Sequence, residues 1–202
     1  MESPQRTMTA DPFDPASDED IATLTGMFAG YLVEELDRTG HMVPGHAVAG
    51  FLRTGIIRID GEAVGFFSAD LKRSSIELIY VKPEHRGQGV ATLALAHLAH
   101  ACPEPMALKA PLSPGGEALA ERLHLRIAES TPEQAEENRE AVRQAEQALM
   151  RQCRQKRTGD PRKPCKRCYR AGLRKYASVV VRGYAEGAQA LQRQRGLFRP
   201  SN

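Results

Sequence analysis

Two glycines separated by one residue, Gly87 and Gly89, lie between a strand-like apolar run at residues 76–81 and a helix-like run at residues 90–101. Glycine allows the backbone to turn tightly and to approach a ligand closely. A helix that begins after such a turn points its unpaired amides and the positive end of its dipole toward the same place. The pattern therefore predicts a phosphate-binding loop.

Two common phosphate-binding loops do not fit this stretch. A dinucleotide-binding loop has three glycines after the first strand of its unit, and a nucleoside triphosphate loop has Lys and then Ser or Thr after its last glycine. In this chain Gly89 is followed by Val90 and Ala91. Neither pattern is present, so the loop belongs to another type.

Residues 79–91 read Ile-Tyr-Val-Lys-Pro-Glu-His-Arg-Gly-Gln-Gly-Val-Ala. This string resembles the acetyl-CoA-binding motif of the GNAT superfamily of N-acetyltransferases, in which an apolar-x-Val-x-Pro strand leads into Arg/Gln-x-x-Gly-x-Gly/Ala. The flanking strand, proline and helix favour this motif over a glycine pair in a surface turn. The resemblance covers about residues 12–129. It implies an α/β fold with a GNAT-like mixed sheet flanked by helices.

The resemblance also implies roles for the residues of the motif. Backbone groups of Ile79 and Val81 would pair with the pantetheine arm of acetyl-CoA, and the Val81 amide would polarise the thioester. Amides of residues 87–91 would hold the pyrophosphate, and Arg86 would add positive charge. The predicted acetyl-CoA-binding residues are Ile79, Val81, Arg86, Gly87, Gln88, Gly89, Val90, Ala91 and, where the family has Asn, Ser113.

Acetyl transfer to an amine needs a neutral nucleophile, a polarised carbonyl and an acceptor for a proton. Glu77 precedes Ile79 by two residues on the same strand. It is the candidate catalytic base, because members of the family often place a carboxylate near this strand and act through a water. A solvated carboxylate on the strand surface is the alternative, and the sequence leaves both open.

The chain departs from the family pattern after residue 113. The Tyr that commonly protonates the departing thiolate falls on Ala120, so that position carries no acid. Thr131 and Pro132 open a helix where the family normally returns with a last strand. Two functions remain open: an acetyl-CoA-dependent N-acyltransferase acting on an unidentified primary amine, and a catalytically impaired CoA-binding module whose extension binds nucleic acid or a protein partner.

Periodic patterns predict the elements that must position the loop. Apolar residues recur at helical spacing between residues 21 and 36, and Asp60-Gly61 separates two alternating runs as in a tight hairpin. The other expected features, in chain order, are disorder over residues 1–15, a short helix at 46–52, a strand at 76–81, a helix at 90–101, a strand at 106–110, a helix at 116–123 and one more strand at 126–129.

Charge divides the chain into two parts. Residues 1–131 contain 11 Lys or Arg and 18 Asp or Glu, whereas residues 132–202 contain 17 and 7. We therefore predict an acetyl-CoA-binding domain over residues 1–131 and a separable, basic helical extension over residues 132–202. Residues 151–182 contain 12 basic residues and one acidic residue. That density predicts either a contact with nucleic acid or another polyanion, or a solvated helix face.

Apolar residues at helical spacing predict two helices in the extension. The first begins at Pro132 and carries a narrow apolar stripe. The second could pair with the first, and its predicted apolar stripe consists of Leu173, Tyr176, Val180, Tyr184, Ala188 and Leu191.

Three cysteines of the extension have half the spacing of a zinc knuckle. Cys165 and Cys168 form a Cys-x-x-Cys pair, and Cys153 lies twelve residues before it. Zinc requires four ligands, and the fourth would have to come from Cys102, a histidine or another subunit. The alternatives are a zinc site and ordinary reduced cysteines.

The start of the chain is polar and acidic, and no window reaches the length of a membrane span. The four cysteines fit a reducing compartment better than a disulfide framework. These features predict a cytoplasmic protein without a membrane partner.

Overall fold

The computed structural model describes residues 7–40, 52–150 and 166–197. Its elements, in chain order, are β1 (Met8–Pro12), α1 (Asp18–Thr39), β2 (Arg53–Ile59), β3 (Glu62–Asp70), β4 (Ser75–Val81), a 3-10 turn (Pro83–His85), α2 (Val90–Ala99), β5 (Ala107–Lys109), α3 (Pro114–Leu123), β6 (Arg126–Ala128), α4 (Pro132–Met150) and α5 (Lys166–Leu197).

The six strands form one sheet in the order of the chain. Strands β1 to β4 run antiparallel to their neighbours, and β4, β5 and β6 are parallel. Asp60 and Gly61 have φ angles of 51° and 85° and close the β2–β3 hairpin, as their types predict. The predicted fold class, a mixed sheet flanked by helices, is confirmed.

Strand β1 corrects the prediction of disorder over residues 1–15. It pairs along its whole length with β2, from Met8 opposite Ile59 to Pro12 opposite Gly55. Met8 and Ala10 pack against the core, and the residues between and beside them are polar or proline. The sequence did not predict this edge strand, because it is short and only the residues that face the core need to be apolar. The predicted helix at 46–52 lies almost entirely outside the described residues.

Two apolar cores lie on opposite faces of the sheet. On one face α1 and α5 pack over Ile56, Phe66 and Tyr80. On the other face α2 and α3 pack over side chains that include Ile57 and Phe67. The sheet is therefore covered on both sides, as parallel strands at its β5 end require.

Helix α5 is part of the first core, which corrects the prediction of a separable extension. Leu173, Ala177, Val181 and Ala185 are at most 2% exposed and pack against α1. The predicted stripe is confirmed in part, since Tyr176, Val180 and Tyr184 also pack against this core, whereas Leu191 is 47% exposed. The predicted stripe lacked Ala177 and Ala185, because alanines give a weak apolar signal although they let two helices approach closely.

Removing the buried side chain of Leu173 should destabilise the whole fold. We expect Leu173→Ala to lower the free energy of unfolding by about 2–5 kcal/mol, because it leaves a cavity between α5 and α1. Leu191→Ala, on the same helix but at an exposed position, should change it by less than about 0.5 kcal/mol. Denaturant unfolding of both variants measures the difference. Equal losses would show that α5 does not belong to the core.

Helix α4 begins where the sequence predicts. The Thr131 amide donates to Gln134 Oε1 (3.1 Å), and the Gln134 amide donates to Thr131 Oγ1 (3.3 Å). This reciprocal pair is a capping box. Gln134 Oε1 also accepts from Lys109 Nζ at 3.1 Å, which ties the start of α4 to the end of β5.

Candidate active site

Strand β4 contains a β-bulge at the point where its pairing with β5 ends. The two strands are paired only at Ser75 and Ile76 of β4. Against β3, Ile76 lies opposite Ala69 and Leu78 lies opposite Ser68, so Glu77 is the additional residue of a bulge. Bulges bend a strand and redirect a side chain. From Glu77 onward the edge of β4 is therefore released from β5, and a gap opens between the two strands.

The peptide groups of Ile79 and Val81 face this gap. The Lys82 amide donates to the Val64 carbonyl on β3 at 2.9 Å. Because successive peptide groups of a strand point to opposite sides, those of Ile79 and Val81 point away from β3. The predicted pairing of a pantetheine arm with these two residues requires this orientation.

The gap opens into a cavity of about 660 Å³ that reaches both faces of the sheet. Its walls come from α1, from β4, from β5 with the residues that follow it, and from α3 and α4. The principal lining side chains are Tyr31, Glu35, Arg38, Glu77, Ile79, Leu108, Lys109, Leu112, Ser113, Gln134, Glu137 and Val142. Helix α4 thus forms one wall of the candidate site.

Glu77 and Ser113, both predicted site residues, line this cavity. The Ser75 hydroxyl donates to Glu77 Oε1 at 3.1 Å and helps to orient the carboxylate. Ser113 is the N-cap of α3, where its Oγ accepts from the Gly116 amide at 3.2 Å. A serine hydroxyl that accepts one hydrogen bond still has a proton to donate.

The predicted phosphate loop has the required backbone. Gly87 and Gly89 have φ angles of 73° and 79°, a region that side-chain-bearing residues adopt only with strain. A Cβ atom at either position would meet nothing within 4 Å, so there is open space beside the loop. Gly89 is the N-cap of α2, whose first-turn amides point outward from Val90 and Ala91. The loop and the helix start together can hold a phosphate.

A family model described as the Acetyltransferase (GNAT) family matches residues 21–123, just over half of the chain. The chain belongs to this family. The match confirms the resemblance that the glycine loop and its flanking strand indicate, and it makes the protein an acetyltransferase by family. The matched segment contains most of α1, the bulged strand β4, the loop and α3.

Solved structures with the same kind of fold include other acetyltransferases. A ribosomal-protein-alanine N-acetyltransferase from Brucella melitensis biovar Abortus 2308 is 20% identical over 63% of this chain and 96% of its own, with a TM-score of 0.42. An aminoglycoside N-acetyltransferase, AAC(6′)-Iy, in complex with CoA is 19% identical over 81% of this chain and all of its own, with a TM-score of 0.35.

A tandem GNAT protein from the clavulanic acid biosynthesis pathway is 17% identical over 58% of this chain, with a TM-score of 0.39, and the aligned part spans 43% of its own length. A search of curated protein sequences found no match. Within the described residues, none of the helices is both long and apolar enough to cross a membrane.

The side chain of Arg86 in this GNAT domain contacts α1 and β4. Its Nη2 donates to Glu34 Oε2 on α1 at 2.6 Å, and its Nε donates to the Val81 carbonyl at 2.9 Å. The guanidinium also lies over the ring of Tyr80, 5.7 Å from its centre. Its charge is thus paired with a carboxylate of α1. Gln88 turns back as well, since its Nε2 donates to the Glu84 carbonyl at 3.1 Å.

Sequence reasoning missed three cavity residues of α1: Tyr31, Glu35 and Arg38. Burial, and then the nearby charge of Glu35, raise the pKa of the Tyr31 phenol. The hydrogen bond from Arg38 to Glu35 raises the pKa of the Arg38 guanidinium. These residues follow one another at i, i+4 and i+7, which places them on one face of the helix. This spacing of polar residues on one helix face is the sequence feature that could have indicated them.

Ala120, at the place of the family tyrosine, is buried in the second core. Its methyl group offers no proton to the cavity. The departing thiolate must therefore obtain its proton from another source.

The predicted zinc site gains no support from the structure. Cys153 and Cys165 lie outside the described residues, and Cys168 is half-buried near the start of α5. Cys102 packs against the second core, across the sheet from α5. Within the described ranges, three or more His, Cys, Asp or Glu side chains are nowhere grouped so that they could hold a metal ion.

The basic segment 151–182 is described only from residue 166 onward. Arg167, Arg174, Lys175 and Arg182 are exposed on α5. Arg170 binds Asp37 of α1 at 2.6 Å, and this hydrogen bond raises the pKa of its guanidinium. The nucleic-acid contact stays a prediction, as does the cytoplasmic location.

Proposed function

We propose that this protein transfers an acetyl group from acetyl-CoA to a primary amine. The observation that supports this most directly is the released edge of β4. There the peptide groups of Ile79 and Val81 point away from β3, Glu77 and Ile79 line a cavity, and the phosphate loop lies a few residues further along the chain. A thioester carrier with a long arm and a pyrophosphate fits such an arrangement.

Binding would use backbone groups more than side chains. The amides of residues 87–91 would hold the pyrophosphate at the start of α2, where the helix dipole favours negative charge. The peptide group of Ile79 and the Val81 carbonyl would pair with the amides of the pantetheine arm as an added strand would, which leaves the Val81 N–H for the thioester. Ser113 would donate its free hydroxyl proton from the other side of the cavity.

The chemical step would begin with a neutral amine in the cavity. The Val81 amide would donate a hydrogen bond to the thioester oxygen and stabilise the charge that develops there. Before the attack, Glu77 would take the extra proton of the amine through a water and leave the amine neutral, and the proton that the nitrogen releases on attack would pass to solvent water. The new C–N bond forms, the C–S bond breaks, and the thiolate leaves.

The thiolate would take its proton from solvent water. Ala120 has none to give, and the Tyr31 phenol, whose pKa is raised by burial, holds its proton more firmly than a free tyrosine. Tyr31 is therefore suited to donate a hydrogen bond and poorly suited to be a general acid.

The acceptor would enter between α1 and α4. Glu35, paired with Arg38, lies on the first helix, and Glu137 lies on the second. The cavity is also lined by Arg38, Arg73, Lys109 and Arg139, so its charge alone does not select a positively charged acceptor. The other GNAT proteins named above act on ribosomal-protein alanine and on aminoglycosides, so both peptide amines and amino sugars belong among the substrates to be tested.

Intact-mass analysis tests this function. The protein is incubated with acetyl-CoA and a panel of small amines, amino sugars and peptides with free α-amino groups. We expect a product heavier by one acetyl group together with equimolar free CoA thiol, and roughly 100-fold less product from Glu77→Gln within the same time. Binding of acetyl-CoA without any product across the panel would favour the alternative, a CoA-binding module that has lost catalysis.

A further inference from the structure

Arg86 connects three parts of the candidate site. It lies in the loop and donates from Nε to the Val81 carbonyl (2.9 Å) and from Nη2 to Glu34 Oε2 on α1 (2.6 Å). The other Glu34 oxygen accepts from the Tyr80 hydroxyl at 3.0 Å. Both oxygens of Glu34 are thus engaged by β4 and by the residues that follow it.

Arg86, Glu34 and Tyr80 form a cluster in which the Tyr80 phenol stays protonated and donates a hydrogen bond to Glu34. Burial, and then the neighbouring charge of Glu34, raise its pKa. It therefore keeps its proton over the range in which proteins function, and it holds Glu34 in place for Arg86. Tyr80 also packs in the first core against Phe66, which fixes the position of its ring.

Stability does not account for this cluster. The side chains of Arg86 and Glu34 are 48% and 38% exposed, and ion pairs with such exposure contribute little to the free energy of unfolding. The cluster nevertheless lies at one critical place, because the carbonyl that Arg86 binds belongs to the residue whose amide would meet the thioester.

We infer that Arg86 is a positioning residue, which with Glu34 fixes the end of β4 for the acyl carrier, and that it is not a ligand of the pyrophosphate. This inference rests on the proposed function. Through the Val81 carbonyl, Arg86 holds the last peptide groups of β4 toward the gap. Through Glu34, it ties that strand end to α1, the helix that forms the acceptor side of the cavity.

The two roles of Arg86 predict opposite effects of removing Glu34. If Arg86 bound phosphate, Glu34→Ala would free its charge, and the affinity for ADP would rise. If Arg86 positions β4, Glu34→Ala and Arg86→Gln should both impair acetyl transfer. We expect kcat/KM for acetyl-CoA to fall roughly 10-fold to 100-fold in each variant, mostly through kcat, because small displacements of reacting groups slow the chemical step.

ADP serves as the probe for the phosphate loop, because it carries a pyrophosphate and lacks the pantetheine arm. Calorimetry should give the same ADP affinity for wild type, Glu34→Ala and Arg86→Gln within about twofold, and the affinity for acetyl-CoA should fall by much less than kcat in both variants. The double variant should lose no more than either single variant, because the two residues act as one unit.

Arg170→Gln is the matched control. It breaks a second exposed ion pair to α1, between Arg170 and Asp37, which touches neither β4 nor the loop. It should leave both affinities and kcat unchanged. A selective loss of ADP affinity in Arg86→Gln, or additive losses in the double variant, would overturn the inference while leaving the proposed function intact. A wild-type protein that binds neither acetyl-CoA nor ADP would overturn both.

Discussion

We expect Gly89→Glu to abolish acetyl-CoA binding. Gly89 has a φ angle of 79°, and a side-chain-bearing residue there costs about 1–3 kcal/mol of backbone strain, which the loop can relieve by turning its amides. The added carboxylate would also repel the pyrophosphate by about 1–4 kcal/mol at close range. Together these effects should lower the affinity by about 100-fold or more. Titration calorimetry with acetyl-CoA measures it.

Gly61→Glu is the control for backbone strain. Gly61 has a similar φ angle of 85° in the β2–β3 turn, and a Cβ atom there would also meet nothing within 4 Å. Both variants introduce the same side chain into the same kind of backbone. The Gly61 variant should be destabilised and still bind acetyl-CoA when folded. Equal affinities in Gly89→Glu and wild type would contradict the assignment of the loop.

Glu77→Gln should reduce turnover by roughly 100-fold or more, the range for a lost general base. The substitution preserves the size of the side chain and its ability to accept the hydrogen bond from Ser75. The reduction should be greatest at low pH. Most of the amine is then protonated, and a base must remove its extra proton before it can attack. Steady-state rates of the variant and wild type across pH measure this effect.

Glu19→Gln is the corresponding control, since Glu19 is exposed in the first turn of α1, away from the cavity. It should keep the wild-type pH profile. A Glu77→Gln variant whose profile also matches that of wild type would mean that the amine arrives already neutral. Glu77 would then have a structural role at the bulge.

The local sequence determined the family and the loop. Gly87 and Gly89 both have positive φ angles, and because such a backbone favours glycine, the residue types alone indicate the turn. The capping box at Thr131 and the Asp60-Gly61 turn were predictable for the same reason, because each depends on residues within a few positions of one another. The family match over residues 21–123 confirms what the loop indicated.

Contacts between distant residues decided the rest. The bulge at Glu77 arises from the register between β3 and β4, which no pattern within β4 reveals. The partner of Arg86 lies 52 residues away on α1, so the sequence showed a spare positive charge where the fold has an ion pair. Pairing over such distances depends on how complete elements dock together.

The place of α5 is the largest difference between sequence and structure. Charge alone marked residues 132–202 as a separate unit, because the net charge changes sign near residue 131. Charge describes the solvent-facing side of a helix, whereas attachment depends on its buried side. That side consists mainly of Leu173, Ala177, Val181 and Ala185, small or branched residues that fit closely against α1. The sequence determined the chemistry of the loop, and tertiary packing made the basic helix part of the acetyltransferase fold.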